Sequence, residues 1–134
     1  MFPLASSSAA PSGARPLVVV IDDDLAVVSS LEFALETEGF SVTSFYDASA
    51  FLAQDRPEAG CLVIDYNLPG MSGTDLLDEL ERRGPLPPFV LIASNPDRRC
   101  RRWVDEHGAT MVEKPLLGAA LTRMVWAAVR QTAH

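Results

Sequence analysis

The segment Cys61-Leu-Val-Ile-Asp65-Tyr-Asn-Leu-Pro-Gly-Met-Ser-Gly73 places an acidic residue directly after a run of apolar residues. An unbroken apolar run of this length is typical of a strand that is covered on both faces in a parallel sheet. Beyond it, Pro69 and Gly70 predict a tight turn. Ser72, followed by Asp75, resembles a capping box that opens a helix. The segment therefore predicts a buried strand, a polar loop and a helix.

Short β-rich runs of this kind alternate along the chain with amphipathic stretches. The predicted strands are Leu17–Ile21, Ser41–Phe45, Cys61–Ile64, Phe89–Ala93 and Thr110–Val112. Between and after the strands, apolar residues recur at helical spacing and predict four amphipathic helices. The residues of these four stripes are Val27, Leu31, Ala34 and Leu35; Leu76, Leu77 and Leu80; Cys100, Trp103, Val104 and His107; and Leu117, Ala120, Leu121, Met124 and Ala128. Asp47–Gln54 is predicted to be a further, short helix, the second in the chain. Gly39, Gly84 and Gly108 each follow a helical stretch, where a left-handed residue often ends a helix. Five βα units predict an α/β fold with a parallel, doubly wound sheet between two layers of helices.

Composition excludes several classes of protein. The chain has 134 residues, of which 48% are hydrophobic and 22% charged, so it can bury a core. A formal net charge of −7 argues against direct nucleic-acid binding. Two cysteines make neither a disulfide framework nor a zinc pattern. Apolar runs such as Leu17–Ile21 are far shorter than the roughly 20 residues of a membrane span.

The first 16 residues differ from the rest in composition. Residues 1–16 are rich in Pro, Ser and Ala, without the basic and apolar regions of a secretory signal. We therefore expect a disordered N-terminal tail over 1–16, one domain over 17–131 and a cytoplasmic location, with no membrane association.

Charged residues collect where the predicted strands end. Asp22, Asp23 and Asp24 follow the first strand, Asp65 the third, and Lys114 the fifth. Ligands of doubly wound sheets bind at this edge. Converging carboxylates repel one another unless a cation intervenes, and Mg²⁺ prefers carboxylate oxygens while leaving room for phosphate.

Each of these residues also has a simpler interpretation. The acidic run 22–24 fits a solvated turn with one helix cap. Asp65 fits either a nucleophile for phosphorus or a strand-ending residue that bonds its own loop. Lys114 is the one lysine beside ten arginines, which suits a phosphate contact but also follows from compositional drift towards arginine.

Three blocks together resemble the receiver domain of bacterial two-component response regulators, particularly those of the FixJ/NarL type. They are Val20-Ile-Asp22-Asp23-Asp24, Leu62-Val-Ile-Asp65-Tyr-Asn-Leu-Pro-Gly-Met-Ser-Gly73 and Val112-Glu-Lys114-Pro115. The resemblance extends from about Leu17 to Arg130. It implies a flavodoxin-like sheet with strand order 2-1-3-4-5 in a three-layer α/β/α sandwich.

The resemblance also implies a role for each matched residue. Asp65 matches the phosphoacceptor, and Asp22 and Asp23 match the acidic pair that holds Mg²⁺ together with Asp65 and the backbone carbonyl of Asn67. Lys114 matches the lysine that contacts the phosphoryl group, in a cis peptide bond to Pro115. The implied partner is a sensor histidine kinase or phosphotransfer protein, and the domain is a signalling module that catalyses its own phosphorylation.

Two positions depart from the family pattern. The family's hydroxyl residue at the end of the fourth strand falls on Ala93, and Ser94 takes that role only if the alignment slides by one residue. Strand alternation would turn these two side chains to opposite faces. Met111 stands where receivers usually carry a Tyr or Phe that rotates inward on activation, so the usual switch is predicted to be absent or altered.

The cluster Arg98-Arg-Cys-Arg-Arg102 opens the fourth helix. A solvated basic face is the simpler interpretation, and a docking patch for an acidic partner or for a second copy in a homodimer is the alternative. His107 continues the apolar stripe of this helix and is predicted to pack rather than to donate phosphate. His134, at the end of the chain, has no kinase-like context either.

Three functions remain open from the sequence. The first is a single-domain response regulator that is phosphorylated on Asp65 and signals by protein contact or onward phosphotransfer. The second is a pseudo-receiver, which binds or dimerises without phosphorylation. The third is the receiver half of a transcription factor. An aspartate-nucleophile phosphatase is disfavoured because Asn67 stands where such enzymes carry a second acid.

Overall fold

The computed structural model describes residues 15–54, 59–116 and 119–131. The strands are β1 (Leu17–Ile21), β2 (Ser41–Phe45), β3 (Cys61–Asp65), β4 (Phe89–Ala93) and β5 (Met111–Glu113). The helices are α1 (Leu25–Thr37), α2 (Ala48–Leu52), α3 (Gly73–Arg83), α4 (Arg98–His107) and α5 (Ala120–Gln131).

The five strands form one parallel sheet in the order β2-β1-β3-β4-β5. In register, Ile21 of β1 lies opposite Ile64 of β3, and Asp65 lies opposite Ile92 of β4. The predicted fold class and strand order are therefore confirmed. Parallel pairing brings all the strand ends that carry charged residues to the same edge of the sheet.

Alternate residues of the central strands pack into two separate apolar clusters. On one face, Val63 and its neighbours pack with residues of α1 and α5; on the other, Ile64 and its neighbours pack with residues of α2, α3 and α4. Burying a side chain of this size contributes about 1.5–3 kcal/mol. The two clusters hold the strands and all five helices in three layers, and so fix the positions of the strand ends.

The cap residues predicted at the helix ends are confirmed in part. Ser72 caps α3, its Oγ accepting a hydrogen bond from the Asp75 N–H, which is half of the predicted capping box. Gly108 ends α4 in the left-handed conformation, as predicted. The same prediction is wrong for Gly84, whose φ of 157° and ψ of −173° lie far from that region.

Several predicted boundaries are corrected by one or two residues. The ladder between β3 and β4 includes Asp65, so β3 ends on that residue rather than before it. The β4–β5 pairing starts at Met111, one residue later than predicted. The second helix is shorter than predicted, because Asp47 is its cap, accepting a bond from the Ala50 N–H.

Two predicted helix faces are also adjusted. On α1, Val28 is buried with Leu31 and Leu35, whereas Val27 is only partly buried. His107 is exposed rather than packed inside, although its ring stacks on Trp103 at a centroid distance of 3.8 Å. The predictions for residues 1–14, Leu117 and His134 lie outside the described residues.

Candidate functional site

Three charged side chains meet at the carboxyl edge of the sheet. Asp22 follows β1, Asp65 ends β3, and Lys114 follows β5. The Lys114 Nζ lies 3.1 Å from Oδ2 of Asp22 and 3.5 Å from Oδ2 of Asp65. Both aspartates are buried, at 0% and 2% exposure, so this ammonium is the cation that compensates two buried carboxylates.

The acidic run after β1 divides its members among three environments. Asp22 is buried, and its Oδ1 accepts a hydrogen bond from the Asp24 N–H at 2.9 Å. Asp24 caps α1, accepting bonds from Ala26 and Val27 N–H groups. Asp23 is exposed. The simpler interpretation, a capped turn, is therefore true of Asp24 and does not account for Asp22.

The loop after β3 is fixed from both sides. The Asn67 N–H donates to Oδ1 of Asp65 at 3.2 Å, and the Asn67 side-chain oxygen accepts from the Ser94 N–H at 3.3 Å. The Gly73 N–H donates to the Tyr66 carbonyl at 3.0 Å. These bonds hold the backbone that carries the Asp65 carboxylate.

Gly73 was not singled out from the sequence as a site residue. A Cβ at this position would lie 2.5 Å from the Asp65 carbonyl oxygen, closer than a real contact allows. The first turn of α3 therefore packs directly on the backbone of Asp65. The available signal was a glycine at the first position of a predicted helix, where glycine has a poor intrinsic propensity.

The carboxylates of Asp22, Asp23 and Asp65 each offer an oxygen within 4.8 Å of the others. Although Oδ2 of Asp22 is ion-paired with Lys114, it is buried and receives no properly directed hydrogen bond within the described part of the chain. A buried carboxylate oxygen with unused lone pairs, next to two further carboxylates, fits a hard divalent cation such as Mg²⁺. The three aspartates could therefore hold such an ion.

The surroundings of Asp65 destabilise its charged form, but not enough to keep it protonated near neutral pH. Burial and the charge of Asp22 raise the pKa of Asp65 to about 6, against the opposing effect of Lys114. Burial alone would lower the pKa of Lys114, but its contacts with Asp22 and Asp65 outweigh burial and raise that pKa. Near neutral pH the pocket therefore holds an ammonium and a carboxylate that is available as a nucleophile.

The structure does not join Ser94 to this group through its hydroxyl. Ala93 is fully buried in the cluster shared with α2, α3 and α4. Ser94 lies beyond β4 and is exposed, and the hydrogen bond described for it, to Asn67, comes from its backbone N–H. Met111 packs against the same cluster as Ala93. The predicted cis peptide between Lys114 and Pro115 is confirmed.

A groove of about 390 Å³ opens beside Lys114 between α1 and the start of α5, and its lining includes Ala26, Ser30, Leu31, Pro115 and Leu121. On α1, Leu25 and Phe33 are 65% and 74% exposed. An apolar surface therefore adjoins the charged pocket. None of the described helices is both long and apolar enough to span a membrane.

The arginine cluster at the start of α4 lies on the other side of the sheet. Arg99 is paired with Asp75 at 2.7 Å and Arg101 with Glu113 at 3.6 Å, and both arginines are largely exposed. Arg98 and Arg102 are exposed too. The cluster is therefore a solvated basic face, part of which is tied to neighbouring elements.

Comparison with known proteins agrees with this architecture. Residues 18–125 match the family model of the response regulator receiver domain. The transcriptional regulatory protein FixJ of Azorhizobium caulinodans is 39% identical over 119 residues, which are 87% of this chain and 56% of that protein. FixJ of Bradyrhizobium diazoefficiens is 37% identical over 116 residues, 85% of this chain and 57% of that protein. The chain thus spans little more than half the length of these relatives.

Solved structures give the same result. Full-length FixJ from B. japonicum superposes with a TM-score of 0.80 at 35% identity, covering 90% of this chain and 60% of that one. A CheY-like receiver domain from Methanospirillum hungatei gives a TM-score of 0.81 at 22% identity, covering 88% and 96% respectively. With the family match across most of the folded chain, these likenesses show that the chain belongs to the response regulator receiver domains.

Proposed function

We propose that this chain acts as a single-domain response regulator, accepting a phosphoryl group on Asp65 from a partner histidine kinase in a Mg²⁺-dependent reaction. The observation that carries the proposal is the buried pairing of Asp22 and Asp65 with Lys114, within 3.1–3.5 Å. A pocket that concentrates like charges at a cost to stability is typical of a functional site. The signal would then pass by protein contact or by onward phosphotransfer.

The chain's own residues suit this transfer. An oxygen of Asp65 forms the new O–P bond while the P–N bond to the donor histidine breaks, and the leaving imidazole nitrogen keeps the bonding electron pair. The Asn67 N–H, at 3.2 Å from Oδ1, holds the carboxylate in position. Lys114 keeps its proton and presents a positive charge to the incoming phosphoryl oxygens.

Asp22, Asp23 and Asp65, with the backbone carbonyl of Asn67, are the proposed Mg²⁺ ligands. The support is the buried Oδ2 of Asp22, which is ion-paired with Lys114 but keeps lone pairs free, and the closeness of the three carboxylates. When bound, the ion supplies positive charge that reduces the repulsion between the carboxylate and the phosphoryl group. The exposed Asp23 lies at the entrance, where it can reach a partly hydrated ion.

The groove beside Lys114 supports a kinase or phosphotransfer protein as the partner. A phosphohistidine must approach Asp65 closely, so the donor protein has to rest on surface next to the pocket. Ala26, Leu31 and Leu121 line the groove and offer apolar contacts there. A helical partner that carries a histidine would cover them while it delivers the phosphoryl group.

Mass spectrometry after incubation with acetyl phosphate and Mg²⁺ tests the proposal directly. We expect one added phosphoryl group on the wild-type protein and none on Asp65→Asn. Asp47→Asn is the matched control, because Asp47 only caps α2 and asparagine caps equally well. Label that persists in Asp65→Asn, or that maps to another residue, would overturn the assignment of Asp65.

Removal of the metal tests the ion separately. Excess EDTA is expected to abolish labelling, and added Mg²⁺ to restore it. Asp23→Asn is expected to raise the Mg²⁺ concentration needed for half-maximal labelling by about tenfold, because one charged ligand is lost. Labelling that proceeds at full rate in EDTA would refute Mg²⁺ dependence and leave Asp65 as acceptor.

A pseudo-receiver is the second candidate, favoured by the buried methyl group of Ala93 and by Met111. Such a protein keeps the receiver fold but does not accept a phosphoryl group. Beryllofluoride, which mimics a phosphoryl group, distinguishes the two functions. Saturable, Mg²⁺-dependent shifts of the Asn67 and Lys114 amide signals support the response regulator, and their absence together with absent labelling supports the pseudo-receiver.

The relatives suggest a third candidate, the receiver part of a transcriptional regulator. FixJ is named as a transcriptional regulatory protein, and the chain spans 56% and 57% of two such proteins. The chemistry proposed at Asp65 is the same in both cases. DNA binding by the protein as it occurs in the cell, tested before and after phosphorylation, separates this candidate from a regulator that works through protein contacts alone.

A further inference from the structure

The receiver lacks the groups that usually carry a signal away from such a pocket. Ala93 has no hydroxyl, and Met111 has no ring. Met111 instead contacts a second soft side chain, with its Sδ 3.8 Å from Sγ of Cys100 in α4. A sulfur contact of this kind is weak and tolerates movement, so it does not by itself tie the pocket to α4.

Tyr66 offers a direct connection instead. It follows Asp65 in the chain, and alternation turns its ring to the opposite face of the sheet, into the cluster shared with α4. Tyr66 is 6% exposed, and its hydroxyl donates to the Asp97 carboxylate, 3.0 Å from Oδ1 and 3.3 Å from Oδ2. The residue that follows the proposed phosphoacceptor in the chain is therefore hydrogen-bonded to Asp97, at the end of the β4–α4 loop.

The backbone of Tyr66 is bound on both sides as well. Its N–H donates to the Ile92 carbonyl at 2.7 Å, and its carbonyl accepts from the Gly73 N–H at 3.0 Å. The ring has little room to move independently, because it is anchored by its own backbone and packed in the core. A displacement of the end of β3 must therefore be transmitted to the hydroxyl or absorbed by neighbouring backbone.

Asp97 is the residue that starts α4. Its Oδ1 also accepts a hydrogen bond from the Cys100 N–H at 2.8 Å, which makes it the N-cap of the helix. The first residues of α4 include Arg98 and Arg99, which are unfavourable at the positive end of the helix dipole. A carboxylate cap is thus the favourable charge in this turn, and its position matters more than usual.

We propose that Tyr66 couples the phosphorylation pocket to α4 through its hydrogen bond to the Asp97 cap, in place of the hydroxyl–aromatic pair that Ala93 and Met111 do not provide. The inference rests on the proposed phosphorylation of Asp65. Phosphorylation adds charge to the carboxylate and shifts the end of β3; the Tyr66 hydroxyl then pulls on or releases Asp97, and the first turn of α4 changes position. The arginines of that turn move with it and present the changed surface.

The test compares amide NMR signals at both ends of the connection on addition of beryllofluoride and Mg²⁺. In the wild type we expect shifts at Asn67, in the pocket, and at Cys100 and Arg101, in α4. In Tyr66→Phe the Asn67 shift is expected to persist while the α4 shifts fall at least twofold. Tyr46→Phe is the control, since Tyr46 is an exposed tyrosine outside this connection.

Asp97→Ser provides a second variant that keeps a helix cap but withdraws the carboxylate from Tyr66. It is expected to lower the α4 shifts as much as Tyr66→Phe does, and the double variant no further, as expected for two residues in one interaction. Spectra without beryllofluoride must agree away from the substituted residue, which excludes unfolding as the cause.

The outcomes separate the two proposals. If Tyr66→Phe is labelled on Asp65 and its α4 signals shift as far as in the wild type, the coupling role is wrong and phosphorylation stands. If the wild type takes no label and beryllofluoride moves neither Asn67 nor Cys100, the proposed function fails and the coupling fails with it. Additive losses in the double variant would also overturn the coupling role.

Discussion

Asp65 and Tyr66 are neighbours in the chain but serve two very different environments. Asp65 faces a pocket in which two buried carboxylates depend on one ammonium. Tyr66 faces an apolar layer, and its hydroxyl donates to the Asp97 carboxylate at the start of α4. On the pocket side, two like charges held close together lower the stability of the fold. On the Tyr66 side, apolar side chains pack as in any protein core.

The difference shows how one strand end can serve both reactivity and communication. A strand sends successive side chains to opposite faces, so a group on one face and its neighbour on the other share the same short piece of backbone. Any movement of that backbone is felt on both sides of the sheet. Substitutions that act on the two sides separately, or on both, therefore test this arrangement.

The largest effect is expected from Gly73→Ala, which disturbs both sides together. The new methyl group would lie 2.5 Å from the Asp65 carbonyl oxygen, so the backbone of β3 or α3 must shift. We expect a loss of about 2–4 kcal/mol in unfolding free energy, measured by urea denaturation. Gly70→Ala is the control: it has open space but a φ of +81°, and we expect a cost of about 1 kcal/mol. Equal losses in the two variants would contradict the close packing at Gly73.

Lys114→Ala affects the pocket alone. It leaves the carboxylates of Asp22 and Asp65 without their cation, and we expect a loss of about 2–3 kcal/mol in unfolding free energy. Mg²⁺ is expected to restore part of this loss, because the ion replaces the missing positive charge. Arg101→Ala is the control, since it breaks an exposed pair with Glu113; its cost relative to the wild type is expected to be less than about 1 kcal/mol and to be the same with and without Mg²⁺. A cost of Lys114→Ala, relative to the wild type, that is the same with and without Mg²⁺ would contradict this role of Lys114.

Asp65→Asn is expected to stabilise the protein in a pH-dependent way. The folded protein binds the Asp65 proton more tightly than the unfolded chain does, because its pKa is raised to about 6. The contribution of Asp65 to stability therefore falls as pH rises from about 4 to 6 and stays low above that range. Relative to the wild type, we expect Asp65→Asn to gain about 1–2 kcal/mol at pH 7, because the amide carries no charge for burial and Asp22 to oppose. The gain is expected to vanish below about pH 4.

Urea denaturation at several pH values, in EDTA, measures this gain. Asp47→Asn serves again as the control for replacing an aspartate by asparagine at a helix cap outside the pocket. A gain from Asp65→Asn that does not change with pH would mean that folding does not raise the pKa of Asp65.

The smallest effect is expected in thiol reactivity, which compares the two faces without substitution. Burial raises the pKa of Cys61 to about 12, and burial followed by the charge of Asp97 raises that of Cys100. Both thiols are expected to react slowly with iodoacetamide in the folded protein, with Cys100 at least about threefold faster because a surface helix opens more readily than a central strand. Peptide mass spectrometry measures both rates. Faster reaction at Cys61 would mean that the β3 side opens first.

Much of this arrangement could be predicted from the sequence, since parallel strands bring their ends to one edge. Asp22, Asp65 and Lys114 each follow or end a strand, so their convergence required only the order of the strands. The bond from Tyr66 to Asp97 could not be predicted in the same way, because it joins residues 31 positions apart and depends on where α4 begins. Alternation does turn Tyr66 away from the pocket, but it does not identify the partner of the hydroxyl.

The position of Ser94 shows a different limit. From their positions in the sequence, Ala93 and Ser94 are alternatives for the place of the family's hydroxyl residue. The structure buries Ala93 and uses the Ser94 backbone for a bond to Asn67. Asn95 then has a φ of +47°, so the regular alternation of β4 does not continue past this point. The dipeptide Asn95-Pro96 does mark a turn in the sequence, but it does not show which of the two preceding side chains faces the pocket.

The single lysine has a practical consequence. Reductive methylation with ¹³C-formaldehyde would introduce isotope at one side chain, Lys114, besides the amino terminus. Dimethylation keeps the positive charge, and the side chain is only 17% exposed, so its resonance would report on the interior of the pocket rather than on solvent. One NMR signal would then follow metal binding, phosphoryl transfer and hydrolysis in real time, in a protein that needs no engineered probe.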